Sequence, residues 1–380
     1  MRKLRVLQVN KLYEPFTGGV EKVVQQIAEG LLGQTVMKVL VCNETKEDVT
    51  EVINGVKVHR SGSFYMLGNM PLSLKFVRDF KRVADSFDII QFHMPFPVGD
   101  LAGLLSGYKG KVVVWWHSDV VRQKKLMLLY RPFMELFLKR ADAIIVATQG
   151  HIDGSAYLGP YREKCRIIPY GINPAIENKA DQWILKKQQA SLASERPVRF
   201  LFVGRLVYYK GCDVLLKAFR TVPGAELVIV GDGAMEHELK EMAKRYGLTE
   251  RVQFLGNISD EALEENFASC DVFVLPSVAR SEAFGLVQAE AMAFEKPIIN
   301  TNLKSGVPYV SIHRETGLTV EPGDVKGLSD AMNWMVTHPK EREAMGKAAR
   351  ERAKKCYRRE DMLKQLLAVY RELCGFCGKN

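Results

Sequence analysis

Short runs of Val, Ile, Leu and Phe recur along this chain. Between them lie longer stretches in which apolar residues return every three or four positions. In the first half the runs cover residues 5–10, 37–42, 56–60, 89–92, 112–116, 143–147 and 166–168. In the second half they cover 198–203, 225–230, 252–255, 272–275, 298–300 and 318–320. Continuous apolar runs of this length predict strands covered on both faces. The periodic stretches predict helices at 20–32, 74–86, 212–221, 234–246, 260–268, 286–294 and 325–338, and a charged helical tail from 340 to about 373. Alternating β and α predicts α/β domains with doubly wound parallel sheets.

The alternation is interrupted once. Pro169-Tyr-Gly171-Ile-Asn-Pro174 and a polar stretch to about Arg196-Pro197 read as a linker. A length of 380 residues suits two domains. They are expected at 1–175 and 176–355, facing each other across a cleft. No run of 18 apolar residues is present, and the N-terminus lacks the apolar core of a signal peptide. Seven scattered cysteines show no framework spacing, which favours a reducing, cytoplasmic setting. Cys374 and Cys377 form a C-x-x-C without a second pair or a neighbouring histidine to complete a zinc site. The net charge of +10 points to anionic partners, which include phosphorylated small molecules, nucleic acid and membrane surfaces.

Candidate chemistry gathers where predicted strands end. Glu282-Ala-Phe-Gly-Leu-Val-Gln-Ala-Glu290 follows one strand and enters a helix. Glu282 is expected in the loop, where open α/β sheets bind ligands, and Glu290 about two turns into the helix. Gly204-Arg205-Leu-Val-Tyr-Tyr-Lys210 follows another strand, and its two cations suit a diphosphate. Gly231-Asp-Gly233 ends the next strand. Gly18 and Gly19 precede a helix and suit close approach by a phosphate or oxyanion. His117 and His93 end adjacent predicted strands. Residues 122–140 combine six cations with large apolar side chains. Helical spacing puts Leu126, Leu129, Phe133 and Phe137 on one stripe, and Pro132 is expected to divide the helix. That segment reads equally as a core helix with a basic rim and as a contact for anionic lipid. No D-x-D or H-E-x-x-H occurs, so nothing requires a metal.

In order and spacing these motifs resemble glycosyltransferase family 4, the retaining enzymes of the GT-B fold, over nearly the whole chain. The resemblance implies two Rossmann-like domains and a helix at 356–380 that crosses back to the first domain. It implies a nucleotide-sugar co-substrate, no cofactor, no metal and no nucleic-acid partner. Arg205 and Lys210 would bind the diphosphate and Glu282 the sugar hydroxyls. Glu290 would bind the ribose. Gly18, Gly19, Gly204, Gly231, Gly233, Ala283, Phe284, Gly285 and Leu286 would complete the donor site. His117 would lie by the reacting centre, with His93 and Asp119 on the acceptor side, and closure of the domains would exclude water. One departure is Phe294-Glu-Lys296-Pro297, because the family often has glycine before the proline.

The strings His117-Ser-Asp-Val-Val-Arg-Gln-Lys124 and Arg280-Ser-Glu-Ala-Phe-Gly285 are similar to bacterial polysaccharide mannosyltransferases of this family. They lead to GDP-mannose and a lipid-linked glycan acceptor at the cytoplasmic membrane face. The alternatives are a UDP-hexose donor with another acceptor, and a non-catalytic module that binds nucleic acid or membrane. A Rossmann dehydrogenase is disfavoured, because the first strand lacks the glycine fingerprint.

Overall fold

The computed structural model describes residues 2–16, 18–67, 70–120, 124–189 and 196–376. Two units emerge: Met1–Gly171 with Arg359–Asn380, and Ile172–Arg358. The divisions fall at Gly171 and Arg358, where the sequence pattern placed them near 175 and 355.

The first unit contains β1 (Leu4–Val9), β2 (Thr35–Cys42), β3 (Val49–Ile53) and β4 (Val56–Ser61), and a separate hairpin of β5 (Tyr65–Leu67) and β6 (Met70–Leu72). It continues with β7 (Ile89–Met94), β8 (Lys111–Trp116), β9 (Ala143–Val146) and β10 (Cys165–Ile167). Eight strands form one sheet in the order β10-β9-β8-β7-β1-β2-β4-β3. All pairs are parallel except β3 with β4. Every residue of β7 is buried, as expected of a strand covered on both faces. The helices are α1 (Gly19–Gly30), α2 (Leu74–Val83), α3 (Pro97–Leu105), α4 (Lys124–Arg140) and α5 (Gln149–Gly154). Ser73 caps α2 by accepting the Phe76 N–H, and Pro97 occupies the first turn of α3, where its missing N–H costs nothing.

The second unit contains α6 (Pro174–Gln189), β11 (Val198–Val203), α7 (Cys212–Phe219), β12 (Ala225–Val230), α8 (Glu236–Arg245) and β13 (Val252–Gly256). Then come α9 (Asp260–Ser269), β14 (Val272–Val274), α10 (Leu286–Ala293), β15 (Ile298–Thr301), α11 (Val307–Val310) and β16 (Gly317–Val320). α12 (Val325–Thr337) and α13 (Pro339–Cys356) complete it. Its six strands are all parallel, in the order β13-β12-β11-β14-β15-β16. The chain then returns to the first unit as α14 (Arg359–Leu373), which packs on α1. Each unit is therefore a doubly wound, Rossmann-like sheet.

Four local expectations need correction. The polar stretch after Pro174 is helix α6, not linker. Its Ala180 and Ile184 are buried, and Trp183 packs on Phe294. A narrow apolar stripe in a polar helix gives little periodic signal. Pro132 does not divide α4, which runs on through it. The buried side of α4 is Met127, Met134, Phe137 and Leu138, while Leu128, Leu129, Phe133 and Leu136 are exposed. The packed face is thus rotated from the expected stripe. Arg122 and the side chains of Lys124, Lys125 and Leu126 lie outside the described residues, as does Cys377. Finally, β3 and the β5–β6 hairpin escaped notice because they are short, and β3 is largely exposed.

The departure at Phe294-Glu-Lys296-Pro297 has a structural counterpart. Glu295 has φ of +58°, a left-handed conformation that glycine adopts without strain. Lys296 closes the turn by donating to the carbonyls of Ala268 and Cys270, with its ammonium 4.0 Å from the Trp183 ring centroid. Glu295→Gly is expected to raise unfolding stability by about 1 kcal/mol in urea titration, since relief of the left-handed strain exceeds the entropy that glycine adds to the unfolded chain.

Candidate active site

In the second unit, the loops at the carboxyl ends of β11, β12 and β14 carry the predicted donor residues other than Gly18 and Gly19, which lie in the first unit. Gly204 follows β11 and donates its N–H to Val230. A Cβ on Gly231 would stand 2.2 Å from the Gly204 carbonyl oxygen, and one on Gly233 would stand 2.4 Å from that of Leu206. Neighbouring backbone already fills these spaces, so both glycines serve the packing of the two loops. Lys210 ends a short turn, and its side chain folds back over Gly204, where a Cβ would meet its Nζ at 3.3 Å.

Lys210 Nζ lies 2.6 Å from Glu282 Oε2, joining two loops that are remote in sequence. Glu282 is only 7 % exposed. Ser277 Oγ donates to the same carboxylate oxygen at 3.2 Å, and the Ser277 carbonyl accepts from Thr301 Oγ1 at 2.7 Å. Arg205 occupies the same loop as Lys210 but is exposed, with Nη2 donating to the Tyr209 hydroxyl at 3.1 Å. The two predicted diphosphate ligands therefore differ here: one is paired internally and the other faces solvent.

Gly285 adopts a left-handed conformation (φ +69°) and forms the N-cap of α10. A Cβ there would meet Leu275 Cδ2 at 2.5 Å. Because the helix starts only at Leu286, Glu290 lies just over one turn in, not about two. It is half-buried. The first N–H groups of α10 have no acceptor within the helix and sit at its positive end. A chain of buried amides braces this loop. Gln288 Nε2 donates to the Phe284 carbonyl at 2.9 Å, Asn300 Nδ2 donates to Gln288 Oε1 at 2.9 Å, and Thr319 Oγ1 donates to Asn300 Oδ1 at 2.8 Å. The Ala283 carbonyl accepts from the Gly306 N–H. Ser277, Gln288 and Asn300 were not singled out in the sequence, because a buried amide or hydroxyl there carries no motif.

In the first unit, His117 follows β8 and is 5 % exposed. Its Nδ1 lies 2.7 Å from the Tyr170 hydroxyl and its Nε2 lies 2.9 Å from His93 Nδ1. His93, 1 % exposed, lies 2.8 Å from Gln8 Oε1 through Nε2. It therefore stands behind His117 with both nitrogens engaged. Asp119 is also occupied: Oδ1 accepts from Trp116 Nε1 and Ser155 Oγ, and Oδ2 accepts from the Ala156 N–H. It pins the loop after β8. Gly18 is the N-cap of α1, and the Glu21 carboxylate lies beneath it, where a Cβ would meet Oε2 at 2.0 Å. Gly19 is open, with nothing within 4 Å of its Cβ position.

Burial pushes the His93 imidazole down to about 3 and that of His151 to about 4. His117 is held well below the usual value, first by burial and then by His93, His151 and Lys11. These rings are neutral across the physiological range. The rings of His93, His117 and His151 are expected to give pH-independent NMR signals between pH 8 and 5. In the unfolded chain they take up protons near pH 6.5, so the unfolded state binds more protons below that pH. Stability should then fall as pH drops from about 6.5, by up to about 1.4 kcal/mol per pH unit for each ring. Asp100, raised to about 8 by burial, stays protonated in the fold and contributes the opposite slope down to about pH 4. Three rings against one carboxyl leave a net loss, which denaturation at a series of pH values would measure.

Family models describe both parts of the chain: residues 17–176 match Glycosyltransferase Family 4 and residues 184–352 match Glycosyl transferases group 1. The chain is 35 % identical over 356 residues to the D-rhamnosyltransferase WbpZ of Pseudomonas aeruginosa, covering 93 % of this chain and 92 % of that one. It is 31 % identical over 376 residues to the O-antigen chain mannosyltransferase C of Escherichia coli, covering 97 % and 99 %. Among solved structures, the sucrose-phosphate synthase of Thermosynechococcus elongatus superposes with a TM-score of 0.79 at 23 % identity over 98 % of this chain and 100 % of that one. WaaG, a glycosyltransferase involved in lipopolysaccharide biosynthesis, gives 0.70 at 18 % identity over 97 % and 100 %, which shows the same fold. The chain belongs to glycosyltransferase family 4, has the GT-B fold and is a glycosyltransferase.

Proposed function

We propose that this enzyme is a retaining hexosyltransferase that takes mannose from GDP-mannose and places it on a lipid-linked oligosaccharide during surface polysaccharide synthesis. The observation that supports a nucleotide diphosphate sugar is the Lys210–Glu282 pair beside the α10 N-terminus, and the choice of GDP-mannose rests on the similarity to mannosyltransferases. A diphosphate arriving there would draw Lys210 to itself, with exposed Arg205 as second cation, and release Glu282 to accept sugar hydroxyls. The backbone N–H groups of Phe284, Gly285 and Leu286 would face the anion, and Glu290 would take the ribose hydroxyls. Protein cations then supply the charge that stabilises the leaving group, and the reading needs no metal or other cofactor.

In this reading the bond from the anomeric carbon to the departing phosphate breaks as the bond to the acceptor oxygen forms on the same face. The acceptor proton passes to the departing phosphate. His117 contacts the sugar side without taking that proton, since both its nitrogens are engaged and the ring stays neutral. The mannosyl and rhamnosyl relatives, which match over nearly their full length, support a hexose and a polysaccharide acceptor.

The exposed apolar side of α4 supports a place for the lipid part. Leu128 is 77 % and Leu129 74 % exposed, and Phe133, Leu136, Arg131 and Lys139 lie on the solvent side with them. Among the described residues no helix is long and apolar enough to cross a membrane. In this reading α4 meets the cytoplasmic face of the membrane from the side.

GDP-mannose at about 100 times its dissociation constant should add about 2.7 kcal/mol to the folded state and raise the melting temperature by several degrees. Glu282→Gln should lower kcat by roughly 10²-fold or more while the protein still binds GDP. A shift with a UDP-sugar but none with GDP-mannose would reverse the donor assignment, and full turnover in Glu282→Gln would reverse the site. For α4, Leu129→Glu with Phe133→Glu should abolish co-sedimentation with anionic phosphatidylglycerol vesicles and leave donor binding unchanged. Equal co-sedimentation of variant and parent would discard the lipid contact.

A further inference from the structure

Six side chains in the first unit form one closed hydrogen-bonded chain with no exposed member. Tyr370 donates to Gln91 Oε1 at 2.6 Å, and Gln8 Nε2 donates to the Tyr370 hydroxyl at 3.1 Å. Gln8 Oε1 lies 2.8 Å from His93 Nε2, His93 Nδ1 lies 2.9 Å from His117 Nε2, and His117 Nδ1 lies 2.7 Å from the Tyr170 hydroxyl. All six residues are buried. They come from β1, β7, the end of β8, the segment after β10, and α14.

Neutral imidazoles carry one N–H each, so the direction of every bond follows from one end. Gln8 directs its N–H at Tyr370, whose own proton goes to Gln91, and this leaves the Gln8 oxygen facing His93. An oxygen can only accept, so His93 Nε2 carries the proton. His93 Nδ1 is then a bare lone pair, and His117 Nε2 must donate to it. His117 Nδ1 is left bare and accepts the Tyr170 O–H. The reverse direction would have Gln91 Nε2 donate to His93 Nε2 at 3.2 Å, and it would press that lone pair against the Gln8 oxygen at 2.8 Å. The shorter contact decides for the first arrangement.

We infer that Gln8, His93, Tyr170 and Tyr370 are positioning residues for transfer, which fix His117 as its Nε2–H tautomer in one orientation. The inference rests on the reading that places His117 beside the sugar. With both nitrogens committed inward, His117 offers a ligand its ring edge and backbone, and it works as a fixed wall rather than as an acid or base. The charged and titratable groups that face it are His93, His151, Lys11 and Tyr170, and the indole of Trp115 stacks nearly parallel to it. Lys11 and the neighbouring imidazoles disfavour a second positive charge there, and Tyr170 fills the remaining lone pair. Loss of the Tyr170 hydroxyl would leave His117 Nδ1 as a buried acceptor without that donor, and the ring free to turn.

Imidazole ¹⁵N NMR of the full chain reads the tautomer without reference to turnover. Wild type is expected to show His117 as Nε2–H from pH 5.5 to 8. Tyr170→Phe is expected to keep a cooperative melt, to lower kcat about tenfold with the donor KM changed less than about twofold, and to move the His117 ¹⁵N signals away from those of the parent protein. His93→Gln, whose side-chain oxygen can still accept from His117, should keep more activity than His93→Leu. An Nδ1–H tautomer in wild type, or a Tyr170→Phe variant with unchanged spectrum and kcat, would overturn the relay. Wild-type turnover in His117→Ala would instead overturn the placement of His117 beside the sugar, with the tautomer in the parent protein unaffected.

Discussion

An ammonium and a carboxylate held 2.6 Å apart and mostly out of water set the terms for the strand-end loops of the second unit. Neither group is stable there alone, because a buried charge stripped of its partner costs about 3–5 kcal/mol. The strand-end loops are accordingly built to bring Lys210 and Glu282 together. Gly204 leaves room for the lysine stem, Ser277 fixes the carboxylate, and Thr301 fixes Ser277. Under the proposed function, a diphosphate would take over from the carboxylate as the anionic partner of Lys210, and sugar hydroxyls would hydrogen-bond to Glu282.

The two units handle polarity in different ways. In the second, buried amides and hydroxyls brace a backbone loop, as Gln288, Asn300 and Thr319 do behind Phe284 and Gly285. In the first, they brace a side chain, His117. Both are connected networks, which stiffen a site because the inner members lose more than one bond by moving.

Much of this was legible in the sequence. The thirteen expected strand runs each coincide with a strand to within about two residues, because parallel strands covered on both faces must be apolar throughout. Glu282, Lys210 and His117 were found because strand ends announce themselves and charged or aromatic residues stand out there. What stayed hidden has a common cause. The pairing of Lys210 with Glu282, and the arrival of Tyr170 and Tyr370 at the histidines, depend on contacts between distant segments that leave no local pattern. The α4 face was misjudged because a helix with apolar residues on most sides has no unique stripe. Helix α6 was missed for the opposite reason, too few apolar residues.

Tyr370 lies on α14, which the ribosome makes only after all of Ile172–Arg358. Domains generally fold as units in the order they emerge. Here the earlier unit cannot finish, since Gln8 and Gln91 wait for a hydroxyl encoded some 280 residues downstream of Gln91. The later unit can be complete while the earlier one still has an unsealed polar interior. A nascent chain cut short before α14 would thus expose that interior to chaperones and proteases, and the histidine pair becomes fully braced only once Tyr370 has been synthesised.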